Sequence, residues 1–471
     1  MTDPFPVWRL NGVLSRNSNH PGSSMDLRKI FREKEIRVLI AESWSVSAPM
    51  TLIMVFEFLI GITDIYVAGR VGKEIQAAYG FVIQLYFVFI IIANALTTGT
   101  VSVISRLFSS GDRGDLGRAI FSIFIVTAAA GLIFGILGII LTPGLITVVN
   151  IPAPLKPLST PLGQIYAAGL IFHYILIHTN GVLRSCKKVR LSLTTMATVC
   201  VCNISLNFLF VFGTPLGYPG IALATALSTL VGCLLNLRHL RPFVPPSAMV
   251  FAARRVREVS GIAWPFGLSQ ALWQVHSMVL YLILSSLPRH SIEILAAFSA
   301  GLRIESAAFL PAIAFHMANA VITGNLLGEK RAATAFRAGL VTALMGVGLV
   351  VLIALGVVMA APGLASMLSD NAVVMRETMT YLYINMLGEP FMALWVILAG
   401  ALSGAGDTRS MMFIIAACTW LVRVPCCYIL VVLMGFEAHA VWWTMNLSQA
   451  IAAILMFRRY MGKKWLPGPP G

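Results

Sequence analysis

Twelve long apolar segments follow one another along the chain, and each is long enough to cross a lipid bilayer as a helix, which takes about 20 residues. The segments lie at residues 45–68, 80–104, 119–141, 160–181, 191–212, 218–237, 260–286, 296–323, 337–360, 380–402, 411–434 and 437–457. Membrane barrel strands would instead alternate apolar and polar residues over about ten positions. The sequence therefore predicts an all-α polytopic membrane protein with twelve transmembrane helices.

The composition excludes most other classes of protein. Of the 471 residues, 58% are hydrophobic and only 11% are charged, whereas soluble domains have about 45–50% and about 25%. A cytosolic enzyme, a secreted disulfide scaffold and a disordered chain are all inconsistent with these values. Six of the seven cysteines lie in apolar segments, so we expect free thiols rather than disulfides or a metal site.

The positive charges lie almost entirely on one side of the predicted helices. When the connections are assigned alternately to two sides, 27 of the 34 Lys and Arg residues fall on the side of the N-terminus and five on the other. The remaining two, Arg303 and Arg423, fall inside predicted spans. Because cytoplasmic loops are enriched in Lys and Arg, both termini are expected in the cytoplasm. The net charge of +15 therefore indicates topology and not nucleic-acid binding.

The predicted organisation is two lobes of six helices each. Residues 1–37 form a cytoplasmic tail, 38–240 the N-terminal lobe, 241–259 a cytoplasmic linker, 260–460 the C-terminal lobe and 461–471 a second cytoplasmic tail.

An internal repeat supports this division. The tripeptide AAY at 77–79 corresponds to AAF at 296–298, and NGVL at 180–183 corresponds to AGAL at 399–402, both at an offset of 219 residues. Two six-helix repeats of the same orientation are related by a pseudo-twofold axis along the membrane normal. Their interface is where a transporter places its substrate cavity.

Several motifs together resemble one family. They are IGITDIYVAGRVG at 60–72, SRLFSSGDRGDLGRA at 105–119, NGVLRSCKKVR at 180–190, NISLNFLFVFG at 203–213 and GIALAT at 220–225. In this order, and with the second and third duplicated in the second half, they resemble the multidrug and toxic compound extrusion (MATE) family over about residues 37–460. The second motif also resembles a loop of major facilitator transporters, but those lack the other motifs.

The resemblance implies a secondary antiporter that exports small, amphiphilic and often cationic compounds in exchange for H⁺, with Na⁺ as the second candidate ion. It implies no cofactor, a small-molecule substrate, contact with membrane lipid, no nucleic acid and a monomer in the plasma membrane, which we expect to be a bacterial inner membrane. The alternative is a flippase of the same superfamily that moves lipids or lipid-linked glycans. A non-transporting scaffold is disfavoured by the ionisable residues inside the spans, because such groups are costly in a bilayer and mark function.

The first lobe contains the predicted cation-coupling residues. Asp64 matches the family's coupling Asp in the first span. The alternative interpretation is that Asp64 is simply a solvated carboxylate near the external end of that span. Asn203 and Asn207 lie one helical turn apart on one face, and with Thr225 they match further coupling positions. Thr225 could equally be a packing residue. Glu57 lies two turns before Asp64 and is a candidate proton relay or a helix-to-helix hydrogen-bonding group.

The second lobe departs from the family pattern. The Glu that the NorM-like branch carries in its seventh span is replaced here by Trp273-Gln274, which is closer to the DinF-like branch. We therefore assign Trp273, Gln274 and His276 tentatively to the substrate cavity, where Trp273 would contact a cation through its ring or simply pack. Glu305 and Glu389 are assigned there as well. Arg423, inside the eleventh span, requires an acidic partner that the sequence does not identify.

Overall fold

The computed structural model describes residues 33–149 and 151–466, and every regular element in this part of the chain is helical. The predicted N-terminal tail lies outside the described residues except for its last five, as do the final five residues of the C-terminal tail. The first half contains six long helices. They are α1 Glu33–Val71, α2 Lys73–Ser110, α3 Arg113–Val148, α4 Lys156–Ser185, α5 Val189–Phe212 and α6 Gly220–Leu240.

The second half contains seven helices, two of which form a single broken span. They are α7 Ala253–Ser285, α8 Ser291–Gly328, α9 Ala332–Leu368, α10 Ala372–Asn385, α11 Glu389–Ala405, α12 Thr408–Leu433 and α13 His439–Met461. The segment α12 includes two π-helical stretches, Ala417–Arg423 and Ile429–Leu433. We call α1–α6 lobe 1 and α7–α13 lobe 2.

Length and apolarity define most of the spans directly. Ten helices are long and apolar enough to cross a membrane, and the pair α10 and α11, bent by 54° at its break, is an eleventh. The remaining helix, α7, has 33 residues and is long enough, although polar residues such as Gln270 and Gln274 lower its hydropathy. The described part of the chain is thus a twelve-span helical bundle. Pro390 lies in the first turn of α11, where its missing N–H costs nothing, so the helix restarts there instead of merely kinking.

The sequence repeat corresponds to repeated packing. In lobe 1, α4 crosses α2 so closely that a Cβ on Gly181 would lie 2.6 Å from Cγ2 of Thr97. In lobe 2, α11 crosses α8 so closely that a Cβ on Gly400 would clash with the carbonyl oxygen of His316. Gly400 and His316 follow Gly181 and Thr97, respectively, by 219 residues. Small residues permit such close crossings between membrane helices, and the two lobes use them at equivalent places.

Side-chain contacts join the lobes toward one end of the bundle. We call this the basic end, because it carries the connections 111–112, 186–188, 241–252, 329–331 and 406–407 together with most Lys and Arg residues. The described inter-lobe hydrogen bonds and ion pairs lie toward this end. They include Ser43 with Thr342 (2.8 Å), Ser102 with the Gly404 carbonyl (3.0 Å), Ser109 with Asn325 (2.6 Å), Lys187 with Glu329 (2.8 Å) and Arg337 with Glu35 (2.7 Å).

The outer surface of the bundle is apolar. Large side chains such as Met359 (84% exposed) and Leu421 (76% exposed) point away from the protein on long helices. Such a surface is unfavourable in water and suits a hydrocarbon environment, in which every backbone polar group must be satisfied inside a helix. The buried interior, in contrast, includes carboxylates and an arginine, namely Asp64, Glu389 and Arg423.

Candidate functional site

Asp64 is buried inside lobe 1, toward the end opposite the basic end. It lies on α1 seven residues before the helix ends at Val71, which is about 10 Å along the helix axis. Its side chain is 3% exposed. The alternative interpretation of Asp64 as a solvated carboxylate is therefore wrong for this conformation. A buried carboxylate requires compensating hydrogen bonds or a bound cation.

The partners of Asp64 are the residues that the sequence placed beside it. Asn207 Nδ2 donates to Asp64 Oδ1 (2.8 Å), and Thr225 Oγ1 donates to Oδ2 (3.1 Å). Asn203 completes the group, because its Nδ2 donates to Thr225 (3.2 Å) and its Oδ1 accepts from Asn207 (3.2 Å). All four residues are buried. Three helices, α1, α5 and α6, thus bring together four of the five predicted coupling residues.

Two tyrosines complete this cluster and were not identified from the sequence. The hydroxyls of Tyr79 and Tyr166 lie 3.4 and 3.5 Å from Asp64 Oδ2. Tyr79 belongs to the AAY repeat, so the repeat was a usable signal, whereas Tyr166 occupies an ordinary apolar helix. The ring of Tyr166 packs on Tyr86 at 5.0 Å between centroids, and Tyr86 hydrogen-bonds His173 (2.6 Å). A line of hydroxyl and imidazole groups therefore extends from Asp64 along α2 and α4.

Glu57 does not join the Asp64 cluster. It lies seven residues earlier on α1, and its side chain is exposed. It interacts electrostatically with Arg184, which is buried near the end of α4 and whose Nη1 lies 3.6 Å from Met317 Sδ of lobe 2. The structure shows no hydrogen bond from Glu57 to a described residue of a neighbouring helix. The relay and the helix-to-helix hydrogen bond therefore both stay predictions.

Lobe 2 contains a second buried polar cluster, centred on Arg423 of α12. Arg423 Nε donates to Ser448 (2.6 Å), Nη1 donates to His276 Nε2 (3.2 Å), and the guanidinium lies 5.3 Å from the centre of the Trp273 ring. Because His276 Nδ1 lies 2.7 Å from the Trp273 carbonyl and acts as its donor, Nε2 is free to accept from Arg423. His276 is therefore neutral in this arrangement.

The acidic residues of this cluster are Glu305 and Glu389. Tyr381 donates a hydrogen bond to Glu305 Oε2, and Glu305 interacts electrostatically with Arg423 and Glu389. Glu305 is thus the described carboxylate that interacts electrostatically with Arg423, without a direct ion pair between the two side chains. Glu389 begins α11, has no exposed surface, and neither of its oxygens makes a hydrogen bond of normal geometry to a described residue.

The assignment of five lobe 2 residues to a cavity lining needs correction. Glu389 (0% exposed) and His276 (2% exposed) are enclosed by helices, so they line no open cavity in this conformation. Gln274 is exposed, Glu305 and Trp273 are half-buried, and all three stay candidates. The physical reason is that His276 hydrogen-bonds Arg423 and the Trp273 carbonyl inside the lobe, whereas Glu389 is enclosed where α11 begins.

The described molecule is thus a twelve-span bundle of two similar lobes with a buried ionisable cluster in each, an architecture that defines a secondary membrane transporter and not an enzyme. The profile of the MatE family matches residues 49–209 and 265–429, so the match falls once in each lobe. The chain belongs to the MatE family.

Relatives and solved structures agree with this assignment. The chain is 24% identical over 443 residues to "Probable multidrug resistance protein NorM" of Bradyrhizobium diazoefficiens, covering 89% of this chain and 92% of the relative. It is 28% identical over 457 residues to the protein of the same name in Burkholderia mallei, covering 90% and 92%. The fold matches the Vibrio cholerae MATE transporter VcmN in its bent form, with a TM-score of 0.85, 20% identity and coverage of 92% and 98%. These relatives named NorM do not support the expected closeness to the DinF-like branch.

Proposed function

We propose that this protein is an antiporter that exports small amphiphilic cations in exchange for H⁺, with Na⁺ as the second candidate ion. The observation that carries this proposal is the buried Asp64 carboxylate with its ring of amide and hydroxyl groups. A buried carboxylate can be neutralised by a proton, by a small cation surrounded by oxygen ligands, or by a cationic substrate. Mutually exclusive occupation of one carboxylate is sufficient for exchange.

The oxygen atoms around Asp64 suit both candidate ions. Asn207 Oδ1 is buried and makes no hydrogen bond to another described residue, so it is available as a ligand. Together with Thr225 and the carboxylate it offers oxygen donors of the kind that hard cations prefer. A proton would use only the carboxylate, whereas Na⁺ would recruit the amide oxygens. Substrate chemistry is inferred from the relatives, which are named multidrug resistance proteins.

We further propose that the basic end faces the cytoplasm of a bacterial cell, with both termini on that side of the plasma membrane. The support is the distribution of Lys and Arg, because most of those in the described part of the chain lie in or beside the connections at this end. On this orientation, the inter-lobe contacts close the cytoplasmic side, and Asp64 lies nearer the external side. Alternating access then requires those contacts to separate.

The test is export of ethidium from proteoliposomes under an imposed pH gradient and, separately, an imposed Na⁺ gradient. We expect wild type to export under the pH gradient and Asp64→Asn to lose at least 90% of that rate, because an amide cannot bind a proton in this range. Asp370→Asn is the matched control, because Asp370 is exposed in the connection before α10.

Each other outcome contradicts a definite part of the proposal. Export driven only by the Na⁺ gradient would show that Na⁺, and not the proton, is the coupling ion. Export that survives Asp64→Asn would show that another carboxylate couples. If neither gradient drives export, the drug antiporter is wrong, and assays of lipid flipping become the next experiment.

A further inference from the structure

We infer that a groove on the outer face of lobe 1 binds one acyl chain of an anionic phospholipid, whose phosphate is held by Lys156. The groove lies between α2, α3 and α4 and has a volume of about 170 Å³. Leu85 of α2, Leu137 and Leu141 of α3 and Leu170 of α4 are among the residues that line it. Lipid binding at this place does not depend on the proposed antiport.

The groove opens toward the hydrocarbon of the bilayer. Leu137, Leu141 and Leu145 line it and are exposed on the apolar outer surface of the bundle. Drug-sized ligands occupy pockets of about 300–1,000 Å³, so the groove is too small for an exported compound. Its volume is close to that of an apolar cavity of about 150 Å³ that stays dry and takes up benzene. The groove therefore suits a segment of a hydrocarbon chain.

The polar atoms of the lining already have partners. The hydroxyls of Tyr86 and Tyr166 are directed to His173 and Asp64, at 2.6 and 3.5 Å. The hydroxyl of Thr142 donates to the backbone carbonyl one turn earlier on its own helix. The lining thus offers little for a polar ligand to recognise, whereas contact with hydrocarbon buries apolar surface on both sides.

The length of the groove matches one leaflet of a membrane. On α3 it extends from Phe134 to Ile146, which is about 18 Å along the helix axis. Half of a hydrocarbon core of about 30 Å is about 15 Å. The groove ends two residues before α3 ends at Val148, at the end of the bundle opposite the basic end. An acyl chain of the leaflet on that side can therefore follow it.

Lys156 supplies the charge at the mouth of the groove. It is half-buried at the start of α4, and its Nζ donates to the carbonyl of Thr147 (3.0 Å), the residue after Ile146 of the lining. No other Lys or Arg, and no Asp or Glu, occurs in residues 119–183. An ammonium has three N–H donors, so two remain for a phosphate. The positive end of the α4 helix dipole adds to this attraction.

The internal repeat shows that the fold does not require this groove. Gly163 and Ala167 of the lining correspond, at the 219-residue offset, to Leu382 and Met386 of lobe 2. Both lobe 2 residues are buried in a packed apolar core. Larger side chains thus occupy in lobe 2 the positions that stay small in lobe 1. Lobe 2 therefore serves as an internal control for lipid binding.

The first test measures lipid affinity of the detergent-purified full chain by native mass spectrometry. The probes are dioleoyl phosphatidylglycerol, which is anionic, and dioleoyl phosphatidylcholine, which is zwitterionic. Lys156→Gln should weaken binding of phosphatidylglycerol about fivefold, the effect of one cation near an anionic lipid surface, and should affect phosphatidylcholine much less. Arg376→Gln is the control, because Arg376 is an exposed cation at the same end of lobe 2. Wild-type affinity of Lys156→Gln for phosphatidylglycerol, or equal losses for both lipids, would overturn the inference.

The second test fills the groove with the residues of lobe 2. A Cβ on Gly163 would lie 2.7 Å from Cγ2 of Thr142, and lobe 2 has Ala361 at the position of Thr142. Thr142→Ala with Gly163→Leu therefore adds a leucine without this contact. Binding of both lipids should weaken roughly tenfold, which corresponds to the loss of about two buried CH₂ groups. If this variant does not fold, Leu85→Trp replaces it. Wild-type affinity in a folded filling variant would overturn the inference.

Cross-linking locates the bound lipid. A phosphatidylglycerol with a diazirine in one acyl chain should label residues 134–146 and 158–170 of wild type, and the label should be lost in the filling variant. The equivalent lobe 2 segment, residues 353–365, is the control, and equal labelling there would overturn a site specific to lobe 1. Excess glycerol 3-phosphate should not prevent labelling, and competition by it would overturn the role of the acyl chain. None of these measurements involves export, so a failure of the proposed antiport leaves their outcome unaffected.

Discussion

Ser105 of lobe 1 and Gly324 of lobe 2 are separated by 219 residues, the offset of the internal repeat, and they contact each other. A Cβ built on Gly324 would lie 2.8 Å from Cβ of Ser105. Two equivalent residues can meet only where the pseudo-twofold axis passes between them. The axis therefore crosses the α2–α8 contact close to the basic end.

The neighbouring contacts obey the same symmetry. Ser109 hydrogen-bonds Asn325 (2.6 Å), and Gly328 approaches Arg106 so closely that a Cβ on Gly328 would clash with the Arg106 carbonyl oxygen. At the 219-residue offset Arg106 corresponds to Asn325 and Ser109 to Gly328. The two contacts are thus reciprocal copies, and the lobes meet here as two halves of one symmetric joint.

A disulfide across the axis should stop transport. In a background without the seven native cysteines, Ser105→Cys with Gly324→Cys should cross-link on oxidation. A disulfide needs a Cβ–Cβ distance of about 3.5–4.5 Å, and the built distance of 2.8 Å reaches this range when the two helices separate by about 1 Å. We expect export to fall to background and to recover with reductant. A protease site in the 241–252 connection reports the cross-link, since only disulfide-linked halves stay together on a denaturing gel without reductant.

The two single-cysteine variants are the matched controls for this experiment. Each variant contains one of the two introduced cysteines and is treated with the same oxidant. Neither should lose export on oxidation. Full export by a completely cross-linked double variant would show that the lobes do not separate at this joint during transport.

The ion pair between Lys187 and Glu329 should stabilise the closed basic end. Both side chains are about a quarter exposed, so we expect roughly 1 kcal/mol, or about fivefold in the equilibrium between closed and open forms. Glu329→Lys should accelerate labelling of a cysteine at buried Ser105 by a membrane-impermeant maleimide by about that factor. The pair Lys187→Glu with Glu329→Lys should return the rate toward wild type.

Glu437→Lys is the control for this measurement, because it reverses a charge in an exposed connection away from the joint. It should leave the labelling rate of the cysteine at position 105 unchanged. If the double variant with Lys187→Glu and Glu329→Lys is labelled at position 105 as fast as Glu329→Lys alone, the attraction between residues 187 and 329 does not stabilise the closed form.

The sequence was sufficient for the twelve spans and the two lobes, because both depend on local signals, whereas the Asp64 cluster also needed the family resemblance. Span length and charge asymmetry are read from consecutive residues, and the spacing of Asn203 and Asn207 defines a helix face. The family resemblance brought Thr225 and Asp64 together from helices 161 residues apart. Spacing alone could not have done so.

The second cluster was beyond sequence reasoning because its members depend on a break and on bulges in helices. Glu389 is enclosed since the chain bends between α10 and α11, and Arg423 ends a π-helical stretch. Both irregularities change which residues share a helix face, so the regular period of an α-helix does not predict the contacts beyond them. Glu305 and Arg423 were therefore each recognised as costly inside a span, while their interaction was not foreseen.

Acid should weaken the contact between α3 and the start of α7. Arg255 donates to Asp115, and this hydrogen bond is the main cause that holds the pKa of Asp115 below its usual value of about 3.9. A lowered folded-state pKa means that the stabilisation is complete above about pH 4 and is lost as the pH falls through the folded-state value. Asp115→Asn should therefore lower the melting temperature in detergent at pH 7, and its difference from wild type should shrink below about pH 4.

Asp370→Asn provides the baseline for this titration, because Asp370 is exposed and lies at the other end of the bundle. Its melting temperature should follow that of wild type at every pH. A difference between Asp115→Asn and wild type that stays constant down to pH 3 would mean that the Asp115 charge is not responsible for the stabilisation.

Thr225→Val should impair coupling while its neighbour on the same helix does not. The change preserves shape but removes the hydroxyl that donates to Asp64 Oδ2 (3.1 Å) and accepts from Asn203 (3.2 Å). Hydrogen bonds to charged groups contribute about 1.5–3 kcal/mol, so the rate of ethidium export should fall roughly 10- to 100-fold.

Thr229→Val is the matched control. Thr229 is one turn further along α6, is also buried, and donates to the carbonyls of Thr225 and Ala226. Equal export rates for the two variants would show that the hydroxyl at Asp64 has no part in coupling. A loss confined to Thr225→Val would tie transport to the hydrogen-bonded carboxylate, since the two substitutions change the same atoms one helical turn apart.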